Sequence, residues 1–208
     1  MQWCESARHL TAARELGDGI VEWALQHVTD GLFVDGGACV GMFCIPVLLQ
    51  RLEACCVAFE PNSATCDALQ EMAELNGVSD RLTVLQMALY DYAGLLQLKV
   101  PVSEIQAGLC TLGTPCRFAD WRTHQAEAIQ LDSLELAPQL IKLDLEGAEL
   151  FALCGAVGTI TQHRPAMIVE AYAPNTRQFE YEPSEIGKFL EALGYNCQRG
   201  REDLFCTI

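Results

Sequence analysis

A short apolar run, Leu32–Val34, stops at Asp35 and opens into Gly36-Gly37-Ala38-Cys39-Val40-Gly41, after which apolar positions continue at helical spacing to about Leu52. A run too short for a helix, ended by an acid and small residues ahead of a helical stretch, predicts a strand, a tight turn and a helix. Pro46 falls inside the helical stretch, where its missing N–H predicts a kink or a later helix start. The pattern then repeats: Cys55–Phe59 predicts a strand, Glu60-Pro61-Asn62 a break, and Ser63–Leu75 a helix stopped at Asn76-Gly77.

Strands and helices go on alternating. Leu82–Met87 predicts a third strand leading to Ala88, and Leu95–Val100 and Ala128–Leu131 predict two more around a Gly-, Thr- and Pro-rich stretch at 108–115. The segment from about 105 to 128 is a candidate lid or substrate loop. Leu140–Leu143 predicts a strand ending at Asp144, Ala148–Leu153 begins a helix, and Met167–Val169 predicts a strand ending at Glu170. A helix over Pro183–Leu193 precedes a hairpin of Tyr195–Gln198 and Leu204–Thr207, and the first 30 residues predict a helical lead-in. Alternation of this kind predicts an α/β, Rossmann-like domain over 1–208. Its sheet is mostly parallel with helices on both faces, and it closes on an antiparallel hairpin.

Composition narrows the function. A formal charge of −15 repels polyanions, so nucleic acid is a poor substrate and a small molecule a better one. The uncharged run from Gly36 to Gln50 falls short of the roughly 18 apolar residues of a membrane span, and no apolar leader block precedes Glu5, Arg8 and Arg14. The expectation is a cytoplasmic protein without a membrane partner. Eleven cysteines, with no Cys-x-x-Cys, then read mainly as small packing residues, Cys55 and Cys56 among them.

Ligands of open α/β sheets bind beyond the carboxyl ends of the strands, so the polar residues there carry the chemistry. The glycine turn lets a ligand approach backbone N–H groups. Glu60 comes 25 residues after Asp35 at the end of the second strand, where a carboxylate can accept hydrogen bonds from two ribose hydroxyls. Asp144, Glu146 and Glu170 end later strands.

The succession Phe33-Val-Asp-Gly-Gly-Ala-Cys-Val-Gly41, Ala58-Phe-Glu-Pro-Asn62, Leu75-Asn-Gly77, Ala88-Leu-Tyr-Asp91 with Gly94, Leu131-Asp-Ser133 and Ile141-Lys-Leu-Asp-Leu-Glu-Gly-Ala-Glu149 resembles the FkbM family of methyltransferases. The resemblance implies a seven-stranded methyltransferase fold, S-adenosylmethionine as cofactor, and O-methylation of a hydroxyl on a sugar, polyketide or other metabolite. It assigns Asp35, Gly36, Gly37, Ala38, Cys39 and Gly41 to the methionine end of the cofactor and Glu60, with Pro61 and Asn62, to its ribose. Met87 and Ala88 would lie against adenine. Cys39 stands where the family usually has Asn, and losing one neutral hydrogen bond costs about 1 kcal/mol, or several-fold in affinity.

Methyl transfer to a neutral hydroxyl also needs a proton acceptor. Asp144 is expected near the methionine end and Glu146 near the acceptor, with His124 a further candidate base and Lys142 orienting the acids. Glu149 is expected to charge the first turn of the following helix. An all-oxygen magnesium site from Asp144, Glu146 and Glu170 is conceivable but not favoured. Trp121, Phe118 and Arg122 suggest a ring-stacking acceptor pocket. A nicotinamide enzyme would show Gly-x-Gly-x-x-Gly, which the glycines here do not match. The alternative within the same fold is a protein that binds S-adenosylmethionine without turnover.

Overall fold

The computed structural model describes residues 1–10, 19–103, 108–115 and 120–208. After two lead-in helices, α1 (Glu5–Leu10) and α2 (Ile20–His27), the chain runs β1 (Leu32–Gly36), α3 (Cys44–Gln50), β2 (Cys55–Phe59), α4 (Ser63–Leu75), β3 (Leu82–Leu85), β4 (Ala88–Leu89), β5 (Gly94–Pro101) and β6 (Trp121–Ile129). It continues through β7 (Pro138–Leu143), α5 (Glu149–Cys154), α6 (Val157–His163), β8 (Ala166–Glu170), α7 (Ala173–Thr176), α8 (Ser184–Ala192), β9 (Asn196–Arg199) and β10 (Asp203–Thr207). No helix among the described residues is long and apolar enough to cross a membrane.

Seven strands form one sheet in the order β3-β2-β1-β7-β8-β10-β9, parallel except for β10, which runs antiparallel to both its neighbours. Alternate strand residues face opposite ways, and both faces are covered. Phe33, Cys56, Ala58, Leu140 and Ile168 pack beneath α2, α3 and α4, whereas Val34, Phe59, Ile141, Leu143, Met167 and Val169 pack against α5, α6 and α8. Chain order reverses between β1 and β7, so the carboxyl ends of those two strands flank the sheet's switch point, where ligands of such folds bind.

Several expectations shift. The helix after β1, α3, starts at Cys44 rather than Val40, with Pro46 in its first turn, where no intrahelical N–H is required. The 105–128 segment is not one loop, because Trp121–Ile129 is a nine-residue strand paired antiparallel with β5 in a second, three-stranded sheet. Apart from Trp121 its exposed residues are polar, and only Ala126 and Ala128 are buried, so no apolar alternation announces it. Ile105 and Phe118 lie outside the described residues. Cys55 is exposed, unlike buried Cys56, and Cys197 and Cys206 face each other across β9 and β10 as a disulfide, correcting their reading as packing thiols.

Candidate functional site

Parallel pairing sets Asp35 beside Lys142, both on the α3 face of the sheet. Asp35 is fully buried, and Lys142 Nζ lies 3.4 Å from its Oδ1 and 3.5 Å from Asp144 Oδ2. Burial pushes the Asp35 carboxyl up against the pull of Lys142, while Asp35 and Asp144 together outweigh the desolvation of Lys142 and hold its ammonium above the usual value. The ammonium sits between two carboxyl groups, and Asp35 acts from below the site as the anchor of the lysine that orients Asp144.

The turn after β1 is pressed against the chain after β7. Gly37 N and Ala38 N donate to Phe59 O, and Asp144 N donates to Gly36 O. Gly37 has φ 75°, and a Cβ there would lie 1.9 Å from the Asp144 carbonyl oxygen. Only glycine fits this approach. Gly37→Ala is expected to destabilise the fold by at least about 2 kcal/mol, because the left-handed backbone penalty of roughly 1–2 kcal/mol adds to the clash. Urea unfolding checks it, and an unchanged midpoint would remove the steric argument.

Beyond this turn lies a cleft walled by Gly37, Cys39, Glu60, Pro61, Met87, Ala88, Asp144, Leu145 and Glu146, and closed on its far side by Leu98, Gly108, Cys110 and Leu112. The gap between its walls is about 540 Å³ with the mouth included, although only about 50 Å³ admits a water-sized body. Glu60 is buried in the cleft wall, its Oε2 accepting from Cys39 N and its Oε1 from Asn62 N, both at 2.9 Å. Burial raises its pKa, and these amides counteract the rise. The Thr65 side chain is a third partner, and because a carboxylate has about four acceptor positions, capacity for a ligand hydroxyl remains. Cys39 takes φ 49°, a left-handed conformation that Asn accommodates more readily than Cys.

Glu146 also lines the cleft. It is buried, has φ 52°, and is fixed from three sides. Thr111 Oγ1 donates to its carbonyl at 3.1 Å, Asn175 Nδ2 donates to its Oε2 at 2.8 Å, and the Glu149 carboxylate accepts from the flanking amides of Leu145 and Gly147. A non-glycine residue in this region costs of order 1–3 kcal/mol and persists where its surroundings over-determine it. Glu149 therefore does more than charge a helix: it braces the turn that aims Glu146, and Tyr181 O–H donates to its Oε2.

Burial lifts the Glu149 carboxyl to about 7. The folded state thus binds a proton that the unfolded chain releases near 4.5, so stability falls as pH rises between these values. Urea unfolding from pH 5 to 7.5 should show a loss of up to about 1.4 kcal/mol per pH unit from this group, flattened in Glu149→Gln. An equal slope in that variant would mean that Glu149 ionises normally.

The other expected residues are placed as follows. Ala38 and Gly41 are buried behind the cleft wall, with Gly41 packed toward Ile45 and Leu69, and Gly36 faces Leu143 and Leu89. Asn62 caps α4 through its side chain and donates to Cys110 Sγ. His124 sits exposed on β6, opposite Leu98, and does not line the cleft. Trp121 and Arg122 are exposed at the start of the same strand. Glu170 shares Asn175 with Glu146, and no group of side chains suited to a metal ion occurs among the described residues. Asn175, Thr111 and Tyr181 carry no local motif, and only their convergence on one turn identifies them.

A family model described as the methyltransferase FkbM domain matches residues 35–197. No curated protein sequence matches the chain. Among solved structures, the fold is similar to methyltransferase FkbM from Methylobacillus flagellatus KT, with a TM-score of 0.60 and 17% identity over 99% of this chain and 48% of that one. The chain therefore spans about half the length of that protein. Two further likenesses are an O-methyltransferase from Bacillus cereus in complex with SAH (TM-score 0.56, 12% identity, 98% and 86% covered) and precorrin-6y C5,15-methyltransferase from Geobacter metallireducens GS-15 (0.54, 12%, 94% and 91%).

Proposed function

Because the chain belongs to the FkbM family of methyltransferases, we propose that it moves the methyl group of S-adenosylmethionine to a hydroxyl oxygen of a small molecule. The observation that carries this reading is the pairing in one cleft, at the switch point of the sheet, of a buried carboxylate with spare acceptor positions, Glu60, and a second one held in a left-handed turn, Glu146. The first suits a ribose, the second a hydroxyl proton. The strong net negative charge favours a small uncharged acceptor over a polyanion.

The residues fit the cofactor. Gly37 lines the cleft without a side chain to narrow it, Met87 and Ala88 offer apolar contact for a base, and the acids Glu60, Asp144 and Glu146 face the cleft with no basic side chain among its described lining residues. That acidic lining suits a ligand bearing a sulfonium and an ammonium. When bound, S-adenosylmethionine supplies an electrophilic methyl carbon. Asp144, steadied by Lys142, would hold the ammonium end, and Glu146 would accept the proton of the acceptor hydroxyl. Alignment of the acceptor by the cleft walls contributes the rest of the acceleration.

The far wall has to yield for a ligand of this size. Residues 108–112 are tied across the cleft by the Thr111–Lys99 backbone pair, by Lys99 Nζ donating to Leu112 O, and by the bonds to Asn62 and Glu146. These bonds, the Thr111–Glu146 one buried, are fewer than those of the sheet's continuous ladders, which makes the wall the element that opens. Calorimetric titration of S-adenosylhomocysteine into the purified protein tests the proposal. Ligand at about 100 times its dissociation constant should stabilise the fold by roughly 2.7 kcal/mol. A folded protein that binds neither S-adenosylhomocysteine nor S-adenosylmethionine would refute it.

A further inference from the structure

The carboxamide of Asn175 joins two acids that arrive from different strands. Its Nδ2 lies 2.8 Å from Glu146 Oε2 and 2.8 Å from Glu170 Oε2, and the residue has no exposed surface. Glu146 follows β7 and Glu170 ends β8, so the sheet brings their backbones near each other without setting the orientation of either side chain. A carboxamide nitrogen carries two hydrogens and no charge, which lets it bond both carboxyl groups at once from one fixed direction. An ammonium would add a charge beside a cleft meant for a cation.

Resting on the methyl-transfer reading, we infer that Asn175 is the positioning residue of the acceptor end, fixing the orientation of the Glu146 carboxylate that an acceptor hydroxyl meets and tying it to Glu170. Its own placement is secured by the fold. The Asn175 carbonyl oxygen lies so close to Gly147 that a Cβ there would come within 2.4 Å, so α7 and the Glu146 turn are in direct contact. The tether also opposes the surrounding electrostatics. Burial, Asp144, Glu149 and Glu146 all push Glu170 toward its protonated form, the Tyr181 hydroxyl is spent on Glu149 and Gly147, and the Asn175 bond favours the ionised form. Removing the two donors should make both acids hold their protons to higher pH.

The test is a carbon-13 titration of the glutamate side-chain carboxyls, with Glu146 and Glu170 assigned by Glu146→Gln and Glu170→Gln. In Asn175→Leu, which keeps the volume, and Asn175→Asp, which keeps the shape, the two midpoints should rise by about one pH unit or more. S-adenosylhomocysteine affinity should stay within several-fold of wild type. Midpoints unmoved in either folded variant would overturn the tether. Should neither variant fold, hydrogen exchange of the Asn175 side-chain amide protons decides: Glu146→Ala should speed it at least tenfold, and an unchanged rate overturns the inference. Loss of cofactor binding by wild type with the titration shift intact would sink the methyl-transfer reading alone, and the converse result would sink only the tether.

Discussion

Glu60→Ala is expected to weaken S-adenosylhomocysteine binding by about 10²- to 10⁴-fold. Two hydrogen bonds from ribose hydroxyls to an ionised carboxylate contribute roughly 1.5–3 kcal/mol each, and every 1.4 kcal/mol is a factor of ten. The same substitution strips the partners from the Cys39 and Asn62 amides, so part of the loss would come from a loosened cofactor loop. Thermal unfolding of the unliganded variant measures that part. Glu60→Gln, which keeps one oxygen acceptor, should fall between the two in affinity. Wild-type affinity in Glu60→Ala would place the ribose elsewhere and remove the principal cofactor assignment.

The second large effect is on turnover. Glu146→Gln should lower single-turnover methyl transfer by about 10²- to 10⁴-fold, the usual contribution of a positioned general base, while S-adenosylhomocysteine affinity stays within a few-fold. The amide keeps the shape and one acceptor oxygen but cannot take the proton of a hydroxyl. An acceptor found by screening metabolite hydroxyls supplies the assay, and the alkaline-rising limb of the rate against pH should vanish with the carboxylate. Undiminished transfer would leave Glu146 a purely structural member of its turn. Asp144→Asn, by contrast, should act mainly on cofactor affinity, since Asp144 belongs with Lys142 at the methionine end.

The strand–turn–helix units around Asp35 and Glu60 were legible because each rests on local chemistry: a short apolar run, a break of small or polar residues, and helical periodicity. Ser63–Leu75 is a helix over the predicted span, since Asn62 caps its start and Asn76-Gly77 its end. The strand Trp121–Ile129 was not legible, because it is largely solvent-exposed and its inward positions are alanines. The helix Val157–His163 was missed as well, following so closely on Gly155 that the stop signal masked its start. Cys197 and Cys206 meet because hairpin register places them opposite each other, and spacing alone does not announce register.

Sequence alone determined the class of fold, the switch-point turn, and the acids at the strand ends, because glycine turns, strand ends and alternating periodicities are properties of neighbouring residues. Tertiary structure decided what those acids do. It sent Asp35 below the cleft to Lys142, left His124 exposed, turned Glu149 into a brace, and brought Thr111 and Asn175 to Glu146 from 35 and 29 residues away. Such partnerships depend on which side chains face one another across strands and loops distant in the chain. That geometry exists only once both faces of the sheet are packed.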